Sequence, residues 1–303
     1  MSEIDLAALP EALRTALESR GFEGLTAVQA AVLEPENRGR DLRISSQTGS
    51  GKTVALGIAA FEAIQDALGL PLSPGGPSLL VIVPTRELAS QVAEELGWLY
   101  AGLEGLRIDC VTGGTSVLAE RRRLDHPPHV LVGTPGRLLD HLEAGALNLG
   151  EVAELVLDEA DQMLDMGFRD ELEGILERTP EERRTHLVSA TLPAAILELA
   201  ELYQRDAKAV EGTALGEANA DIEHIAVRVV PQDRYAALTN LLLAAGDERT
   251  LVFVATRAGA SQLADRLADD GFAALPLSGE LAQAQRTRTL TSFRSGVARI
   301  LVA

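Results

Sequence analysis

One segment of the chain combines small residues with a lysine and a threonine directly after a short apolar run: Ser46–Thr53, SQTGSGKT. Small residues allow backbone N–H groups to surround a phosphate, and a helix that begins after such a loop adds positive potential. Lys52 would then contact the β- and γ-phosphates of a bound ATP, and Thr53 would bind Mg²⁺. The alternative is a glycine-rich turn that carries a surface lysine. The predicted nucleotide-binding residues of this loop are Ser46, Gln47, Thr48, Gly49, Ser50, Gly51, Lys52 and Thr53.

A second segment, Asp158–Asp161, places acidic residues directly after the apolar run Glu154–Leu157. A carboxylate at the end of a strand can hold Mg²⁺ through water opposite a phosphate-binding loop, which is the role predicted for Asp158. The next carboxylate, Glu159, would polarise the attacking water, since two acids with different neighbours can divide these roles. The alternative is a group of acids that stabilises the N-terminus of a helix.

The charge of the chain argues against a passive nucleic-acid binder, which usually has a basic surface. The 303 residues include 27 basic and 45 acidic side chains, a net charge of −18. Lys52 and Lys208 are the only lysines, so any contact with nucleic acid requires a local track of arginines. The alternative is that the acidity simply keeps the protein in solution.

Cysteine usage and hydropathy indicate the compartment. Cys110 is the only cysteine, which excludes a disulfide within the chain and fits a reducing environment. The first residues, Met1–Asp5, lack the basic region of a signal peptide. Since no apolar run approaches the ~20 residues that cross a bilayer, we predict a cytoplasmic protein without a membrane partner.

These chemical segments lie in a regular alternation of short apolar runs and amphipathic stretches. Such alternation predicts βαβ units with a parallel sheet, and ligands bind at the carboxyl edge of that kind of sheet. The predicted strands are Leu42–Ser45, Leu79–Val83, Arg107–Val111, Val130–Val132, Leu155–Leu157 and Thr185–Val188. The predicted helices are Thr53–Leu68, Arg86–Leu99, Ser116–Arg123, Gly136–Glu143, Phe168–Arg178 and Ala194–Tyr203.

A second alternation follows Glu211–Ala220, whose small and polar residues predict a linker. The alternation ends at Ala303 on an apolar strand, and because a parallel sheet needs cover on both faces, we predict a piece of a longer protein. The predicted domains are residues 1–212, a linker at 213–222, and a partial domain at 223–303. The second set of strands is Ile225–Val230, Leu251–Val254, Ala273–Leu277 and Ile300–Val302, with helices near Arg234–Leu243, Gly259–Asp269 and Leu281–Phe293.

Five motifs occur in a fixed order, and each is predicted at the end of a strand: the phosphate loop, PTREL at Pro84–Leu88, TPGR at Thr134–Arg137, DEAD at Asp158–Asp161 and SAT at Ser189–Thr191. Together they resemble the bacterial DEAD-box ATP-dependent RNA helicases over nearly the whole chain. The resemblance implies an α/β fold of two RecA-like P-loop lobes with parallel sheets, the second incomplete, that close on ATP and RNA. It implies a helicase core that couples ATP hydrolysis to remodelling of RNA duplexes. The alternatives are an ATP-gated RNA clamp or assembly platform, and a DNA translocase.

Upstream, Phe22 and Gln29 resemble the adenine-binding Q motif of this family. A glutamine amide donates to and accepts from the edge of adenine at once, and Phe22 would stack on the base. The alternative is that Phe22 belongs to the core. Leu25 and Ala27 replace the usual prolines around Thr26.

The resemblance also implies the residues that hold RNA. Backbone amides at helix N-termini, together with arginine, suit phosphates and carry no base information, so little sequence specificity is expected. The implied RNA-binding residues are Pro84, Thr85, Arg86, Gly113, Gly114, Thr134, Pro135, Gly136, Arg137, Arg257 and Gly279.

Ser189 and Thr191 resemble the family's coupling motif, which links hydrolysis to lobe closure through the DEAD acids. With them, the implied catalytic set is Lys52, Asp158, Glu159, Ser189 and Thr191. The family's arginine finger, worth roughly 10³–10⁵ in rate, belongs to segments that would follow Ala303. We therefore expect this chain to bind nucleotide weakly and hydrolyse it little. Protein partners, the RNA target and the oligomeric state do not follow from the residues.

Overall fold

The computed structural model describes residues 6–45, 50–68, 76–189, 191–211 and 222–303. These residues form two compact units, Met1–Glu217 and Ala218–Ala303, which are described separately below. The predicted domain bounds stay a prediction, and nearly all of the predicted linker lies outside the described residues.

The first unit contains one sheet of parallel strands, in the order β3-β4-β2-β5-β6-β1-β7. The parallel α/β fold expected from the alternation of the sequence is thereby confirmed. The strands are β1 Leu42–Ser45, β2 Leu79–Ile82, β3 Ile108–Val111, β4 Val130–Gly133, β5 Glu154–Asp158, β6 Arg184–Ser189 and β7 Lys208–Glu211.

Helices cover both faces of this sheet, as a fully buried parallel sheet requires. They are α1 Glu11–Ser19, α2 Ala27–Ala31, α3 Lys52–Leu68, α4 Arg86–Leu99, α5 Val117–Leu124, α6 Pro135–Glu143, α7 Ala160–Asp165, α8 Arg169–Leu176 and α9 Ala194–Tyr203. Alternate residues of each strand enter different cores: Val156 packs with the cluster under α1–α4, whereas Leu155 and Leu157 pack with the cluster under α5–α9.

The strand order divides the carboxyl edge of the sheet into two halves. The phosphate loop, the DEAD segment and the SAT segment follow β1, β5 and β6, which are neighbours; we call this the β5–β6–β1 half. The glycine pair, TPGR and PTREL follow β3, β4 and β2, also neighbours; we call this the β3–β4–β2 half. Each half thus gathers loops that are far apart in sequence.

The second unit is a smaller α/β layer with a parallel sheet in the order β8-β10-β9. Its elements are α10 Arg234–Ala245, β8 Thr250–Val252, α11 Arg257–Asp269, β9 Ala274–Pro276, α12 Gln283–Arg294 and β10 Ile300–Val302. Leu267 and Val302 are fully buried in its core. Among the residues described in both units, no helix is both long and apolar enough to cross a membrane.

The prediction of a strand at Ile225–Val230 is wrong. The segment forms no strand, and its apolar side chains are exposed, with Ile225 at 76% and Val227 at 54%. A strand requires the backbone donors and acceptors of a neighbour, and in the described part of this unit no strand pairs with the segment. Alternation of apolar residues indicates a preference for an extended backbone, but it does not show whether a neighbouring strand is present to pair with it.

Candidate active site

A cleft of about 430 Å³ lies between the start of α3, the end of β5 and one side of α4, and it contains a lysine and a carboxylate from two different motifs. Lys52 is the first residue of α3, and Asp158 is the last residue of β5. Both side chains are buried, with 8% and 4% of their surface exposed. Thr53 and Glu159 line the same cleft. The fold therefore brings together residues that are more than a hundred positions apart, at the carboxyl edge where ligands bind.

The carboxylates of this cleft are short of compensating charge. Burial raises the pKa of Asp158 to about 6, although Lys52 opposes the rise, and the negative charge of Glu159 adds to it. Burial also raises the pKa of Glu159, again against the attraction of Lys52. A buried carboxylate that ionises with difficulty is a favourable ligand for a cation, because the cation supplies the charge that solvent would otherwise provide.

These residues fit a Mg²⁺ ion that arrives with a nucleotide. Mg²⁺ is usually held by one or two carboxylates, waters and the phosphates of a substrate rather than by a complete protein cage. Among the described residues there is no cluster of three or more His, Cys, Asp or Glu side chains that could hold a metal. Asp158 and Thr53 both line the cleft and could contribute oxygen ligands.

Glu159 occupies an unusual backbone conformation. Its φ and ψ angles are 52° and 47°, in the left-handed region, which costs a non-glycine residue roughly 1–2 kcal/mol. The strained residue forms the turn between β5 and α7 and donates its backbone N–H to Asp158 Oδ1 at 3.0 Å. Strain of this kind is concentrated at functional sites, where the surrounding structure maintains it.

The predicted adenine-binding glutamine is fully buried against the phosphate loop. Gln29 Oε1 accepts from Thr26 N at 3.0 Å, and Gln29 Nε2 donates to Gly51 O at 3.2 Å. Thr26 Oγ1 donates to Ser50 O at 3.0 Å. A Cβ atom at Gly51 would lie 2.3 Å from Gln29 Nε2, so this approach requires glycine. Gln29 thus anchors the end of the phosphate loop, and its contact with adenine stays a prediction.

Phe22 has both of the environments considered from the sequence. It is half-buried and packs against the core, and it also lines the cleft. Its ring centroid lies 6.1 Å from that of Trp98, which lines the cleft from α4. No pattern in the sequence indicated Trp98, because a lone aromatic on an amphipathic helix is typical of a core position. Ser46, Gln47, Thr48 and Gly49, also predicted to bind nucleotide, lie outside the described residues.

The SAT segment contacts the last acid of the DEAD segment. Thr191 donates to Asp161 Oδ2 through its hydroxyl at 2.6 Å and through its backbone N–H at 3.1 Å. Burial opposes ionisation of Asp161, but Thr191 and then Ser189 outweigh it and lower the pKa of that carboxyl. Ser189 Oγ is itself buried, and no described atom lies at full hydrogen-bonding geometry to it. Asp161 was not among the predicted site residues, and it is the acid that joins the two segments.

In the β3–β4–β2 half, an arginine lies over a pair of glycines. Arg86 begins α4 directly after Thr85, whose hydroxyl accepts from Leu88 N at 3.3 Å. A Cβ atom at Gly114 would lie 2.1 Å from Arg86 Nη1, and one at Gly113 would lie 3.1 Å from Nη2. The guanidinium therefore packs directly on the glycine backbone, and the structure brings these predicted RNA-binding residues together.

The TPGR segment has a different arrangement from the one its predicted role suggests. Pro135 is the first residue of α6 and is buried, as is Thr134 before it. The Arg137 side chain is only 8% exposed, and its Nη1 donates to Glu120 Oε2 at 2.6 Å. A direct contact between Arg137 and RNA stays a prediction, but the guanidinium is already engaged inside the protein. Glu120 gave no signal in the sequence.

In the second unit, the predicted residues Arg257 and Gly279 are neighbours. Arg257 begins α11 after Thr256, whose hydroxyl accepts from Gly259 N at 3.0 Å. A Cβ atom at Gly279 would lie 4.0 Å from Arg257 Nε. This pair has the same composition as Arg86 with its glycines: an arginine at a helix N-terminus beside a glycine.

Comparison with known proteins agrees with this geometry. Residues 26–199 match the DEAD/DEAH box helicase family, and residues 233–303 match the helicase conserved C-terminal domain. The ATP-dependent RNA helicase DeaD of Mycobacterium tuberculosis (strain ATCC 25618 / H37Rv) is 41% identical over 299 residues, which cover 99% of this chain and 52% of the relative. The chain thus spans about half the length of that protein.

Solved structures give the same result for the fold. The crystal structure of a DEAD box protein from the hyperthermophile Methanococcus jannaschii has a TM-score of 0.60 at 35% identity, covering 97% of this chain and 78% of that chain. The structure of S. cerevisiae Dbp5 bound to RNA and ADP BeF3 has a TM-score of 0.80 at 23% identity, covering 99% of this chain and 75% of that chain, a likeness of fold alone. With the family match extending over more than half of its residues, the chain belongs to the DEAD/DEAH box helicase family.

Proposed function

We propose that this chain is the core of an ATP-dependent RNA helicase, which binds ATP with Mg²⁺ and the RNA backbone and couples hydrolysis to remodelling of RNA duplexes. Within this proposal residues 1–212 are the ATP-binding lobe, residues 213–222 the linker, and residues 223–303 part of the second lobe. The two compact units, Met1–Glu217 and Ala218–Ala303, support that division.

The observation on which the proposal depends is the cleft that Lys52 and Asp158 share. Lys52 would bind the β- and γ-phosphates, while Thr53 and Asp158 would hold Mg²⁺. When bound, the Mg²⁺ would neutralise charge on the phosphates. Glu159 would orient and polarise water, and burial raises the pKa of its carboxyl, which makes the carboxylate a stronger base. Gln29 would hold the phosphate loop in place through Gly51.

The RNA part of the proposal is supported by the β3–β4–β2 half and by the relatives. Backbone amides at the starts of α4 and α6, the glycine pair and Arg86 provide donors for a sugar–phosphate backbone. The DeaD relative is named an ATP-dependent RNA helicase, and Dbp5 was solved with RNA and ADP BeF3. Thr191 and Ser189 would couple the two activities, because Thr191 donates to Asp161 in the first turn of α7 and Ser189 helps to lower the pKa of that carboxyl.

The rarity of lysine allows a matched test of the nucleotide site. Lys52→Ala should weaken binding of a fluorescent ATP analogue by roughly tenfold to a hundredfold, since a hydrogen bond to a charged group contributes about 1.5–3 kcal/mol. Lys208→Ala removes the only other lysine, at the start of β7, and should leave the affinity unchanged. Equal affinities in the two variants would contradict the nucleotide site. RNA affinity that does not depend on nucleotide would contradict the coupling.

A further inference from the structure

A buried carboxylate, Glu120, lies at the centre of the β3–β4–β2 half. It is 1% exposed, and it belongs to α5, a helix outside the five motifs. Its Oε2 accepts from Arg137 Nη1 at 2.6 Å and lies 2.8 Å from His141 Nε2. Both partners lie on α6, where they are 8% and 0% exposed. One carboxylate oxygen of Glu120 therefore contacts two side chains of the helix that follows β4.

The other carboxylate oxygen of Glu120 accepts hydrogen bonds from the loop that follows β3. Its Oε1 accepts from Thr112 N at 3.1 Å and from the hydroxyl of Thr115. The Thr115 hydroxyl also lies 2.7 Å from Thr112 O, and Arg137 Nη1 lies 3.4 Å from Thr115 O. This loop contains Gly113 and Gly114. A single carboxylate thus joins the glycine pair to the N-terminal turn of α6.

Burial alone does not explain such an arrangement. Removing ionised groups from water costs free energy that their attraction often fails to recover, so a buried ion pair is weak evidence for stability. A fully satisfied buried network does fix the relative position of the segments that it joins. Burial disfavours ionisation of Glu120, but hydrogen bonds from Thr115, His141, Arg137 and Thr112 outweigh it and lower the pKa of the carboxyl. Glu120 is accordingly ionised at neutral pH.

The same sheet contains a second buried glutamate with the same types of partner. Glu154 is 0% exposed, forms an ion pair with Arg184, and lies 2.9 Å from His186 Nε2. It is the first residue of β5, whereas Asp158 at the carboxyl edge is the last. Glu154 therefore lies at the opposite end of the strand from the motifs. The chain thus supplies a control of similar burial that also has an arginine and a histidine partner.

We propose that Glu120 is the positioning residue of the RNA site: it holds the Gly113–Thr115 loop and the start of α6 in the one relative arrangement that can contact consecutive RNA phosphates. The proposal rests on the proposed function. Arg137 acts within it as a partner of Glu120, with its guanidinium directed into the protein. The ligand chemistry is a single-stranded sugar–phosphate backbone.

The test compares Glu120→Gln with Glu154→Gln in the full 303-residue chain. Affinity for a fluorescent oligouridylate is measured by anisotropy with Mg²⁺ and a non-hydrolysable ATP analogue. Affinity for a fluorescent ATP analogue and thermal unfolding are measured in parallel. Glu120→Gln should weaken RNA binding roughly tenfold, the effect of losing about one charged hydrogen bond. Its nucleotide affinity should stay that of wild type, and Glu154→Gln should bind RNA like wild type despite a comparable loss of thermal stability.

A second variant covers the case in which Glu120→Gln does not fold. Thr115→Val keeps the shape of an exposed residue, removes its hydroxyl from Glu120, and should also weaken RNA binding with nucleotide affinity unchanged. Wild-type RNA affinity in Glu120→Gln, or in Thr115→Val where Glu120→Gln does not fold, would overturn the positioning role. So would equal losses of RNA affinity in Glu120→Gln and Glu154→Gln. Failure of the wild-type chain to bind RNA would instead contradict the proposed function.

Discussion

The buried carboxylates in the two halves of the carboxyl edge have pKa values that are shifted in opposite directions. In the β5–β6–β1 half, burial raises the pKa of Asp158 to about 6 and also raises the pKa of Glu159, because Lys52 compensates only part of their charge. In the β3–β4–β2 half, hydrogen bonds overcome burial and lower the pKa of Glu120. Asp158 is thus left short of positive charge, whereas hydrogen bonds from within the protein satisfy Glu120.

This difference corresponds to what each half is proposed to bind. A site for Mg²⁺ with a triphosphate has to leave a carboxylate available to the incoming cation, at a cost in stability without ligand. A site for an RNA backbone has to present amides and arginine in a fixed arrangement, and an internally satisfied network provides it.

The largest effect is expected in the stability of Asp158→Asn. Because the folded-state pKa of Asp158 is raised, the folded state binds the proton more tightly than the unfolded state. The stability from the protonated carboxyl is present below pH 3.8 and is lost as the pH rises through about 6. An asparagine side chain does not ionise, so the variant avoids this loss of stability at higher pH. Its amide oxygen can still accept a hydrogen bond from Glu159 N. In the absence of nucleotide and Mg²⁺, the variant should therefore unfold at a higher temperature than wild type at pH 8. Its free energy of unfolding should exceed that of wild type by at most roughly 3 kcal/mol.

The matching control lies in the other half. Glu120 has a lowered pKa, so its contribution to stability is present above its unfolded-state value and is lost as the pH falls through the folded-state value. Glu120→Gln should therefore destabilise the chain at pH 8, the opposite sign to Asp158→Asn. The measurement is thermal unfolding of both variants and wild type between pH 5 and pH 8, a range of about three units around the value of Asp158. A loss of stability in Asp158→Asn that does not change with pH would contradict the contrast.

Much of the fold followed from the sequence because the relevant signals are local. Alternation of apolar runs and helical stretches placed β1, α4 and α9 at their observed bounds. The five-residue helix α2 and the four-residue edge strand β7 were not predicted, since such short elements carry little periodicity of their own. Helix α1 was missed although its buried residues Leu13, Ala16 and Leu17 follow helical spacing. The opposite error occurs at Ile225–Val230, where a strong alternating pattern predicted a strand, but no strand of the described residues pairs with the segment.

The parts of the site that depend on a single motif could be predicted from the sequence. The contacts that depend on how distant elements pack together could not. Lys52 and Asp158 could be assigned to one cleft, because loops after parallel strands meet at one edge. The burial of Gln29 against Gly51 and of Arg137 against Glu120 could not, because each depends on a partner from a distant element. The family resemblance implied that Arg137 contacts RNA, which stays a prediction, but it gave no indication that the guanidinium is paired with Glu120 inside the protein.

A smaller effect is expected when a methyl group is placed at the glycine pair. Gly114 has a φ of +79°, and its Cβ would meet Arg86 Nη1. The flexible guanidinium has to move, so Gly114→Ala should weaken RNA binding by roughly tenfold, the value of about one charged contact. Nucleotide binding in the other half should not change.

Gly105→Ala separates this effect from backbone strain. Gly105 has nearly the same φ, +81°, but nothing lies within 4 Å of its Cβ position. Both variants should lose stability by about 1 kcal/mol, the cost of a left-handed alanine. Only Gly114→Ala should lose RNA affinity in an anisotropy assay. A similar loss in both variants would show that strain, rather than displacement of Arg86, is responsible.

The smallest effect is expected in the salt dependence of RNA binding. The chain carries a net charge of −18, and Arg137 is already paired with Glu120, so its charge is not available to neutralise a phosphate. Each phosphate neutralised on a single strand contributes about −0.7 to the slope of log affinity against log salt concentration, so two or three contacts predict a slope near −2. Arg86→Gln should make the slope shallower by about 0.7, whereas Arg137→Gln should leave it unchanged. A wild-type slope near −6, which needs roughly eight neutralised phosphates, would mean that RNA is held by a broad arginine surface and not by the backbone amides and Arg86 of this half of the edge.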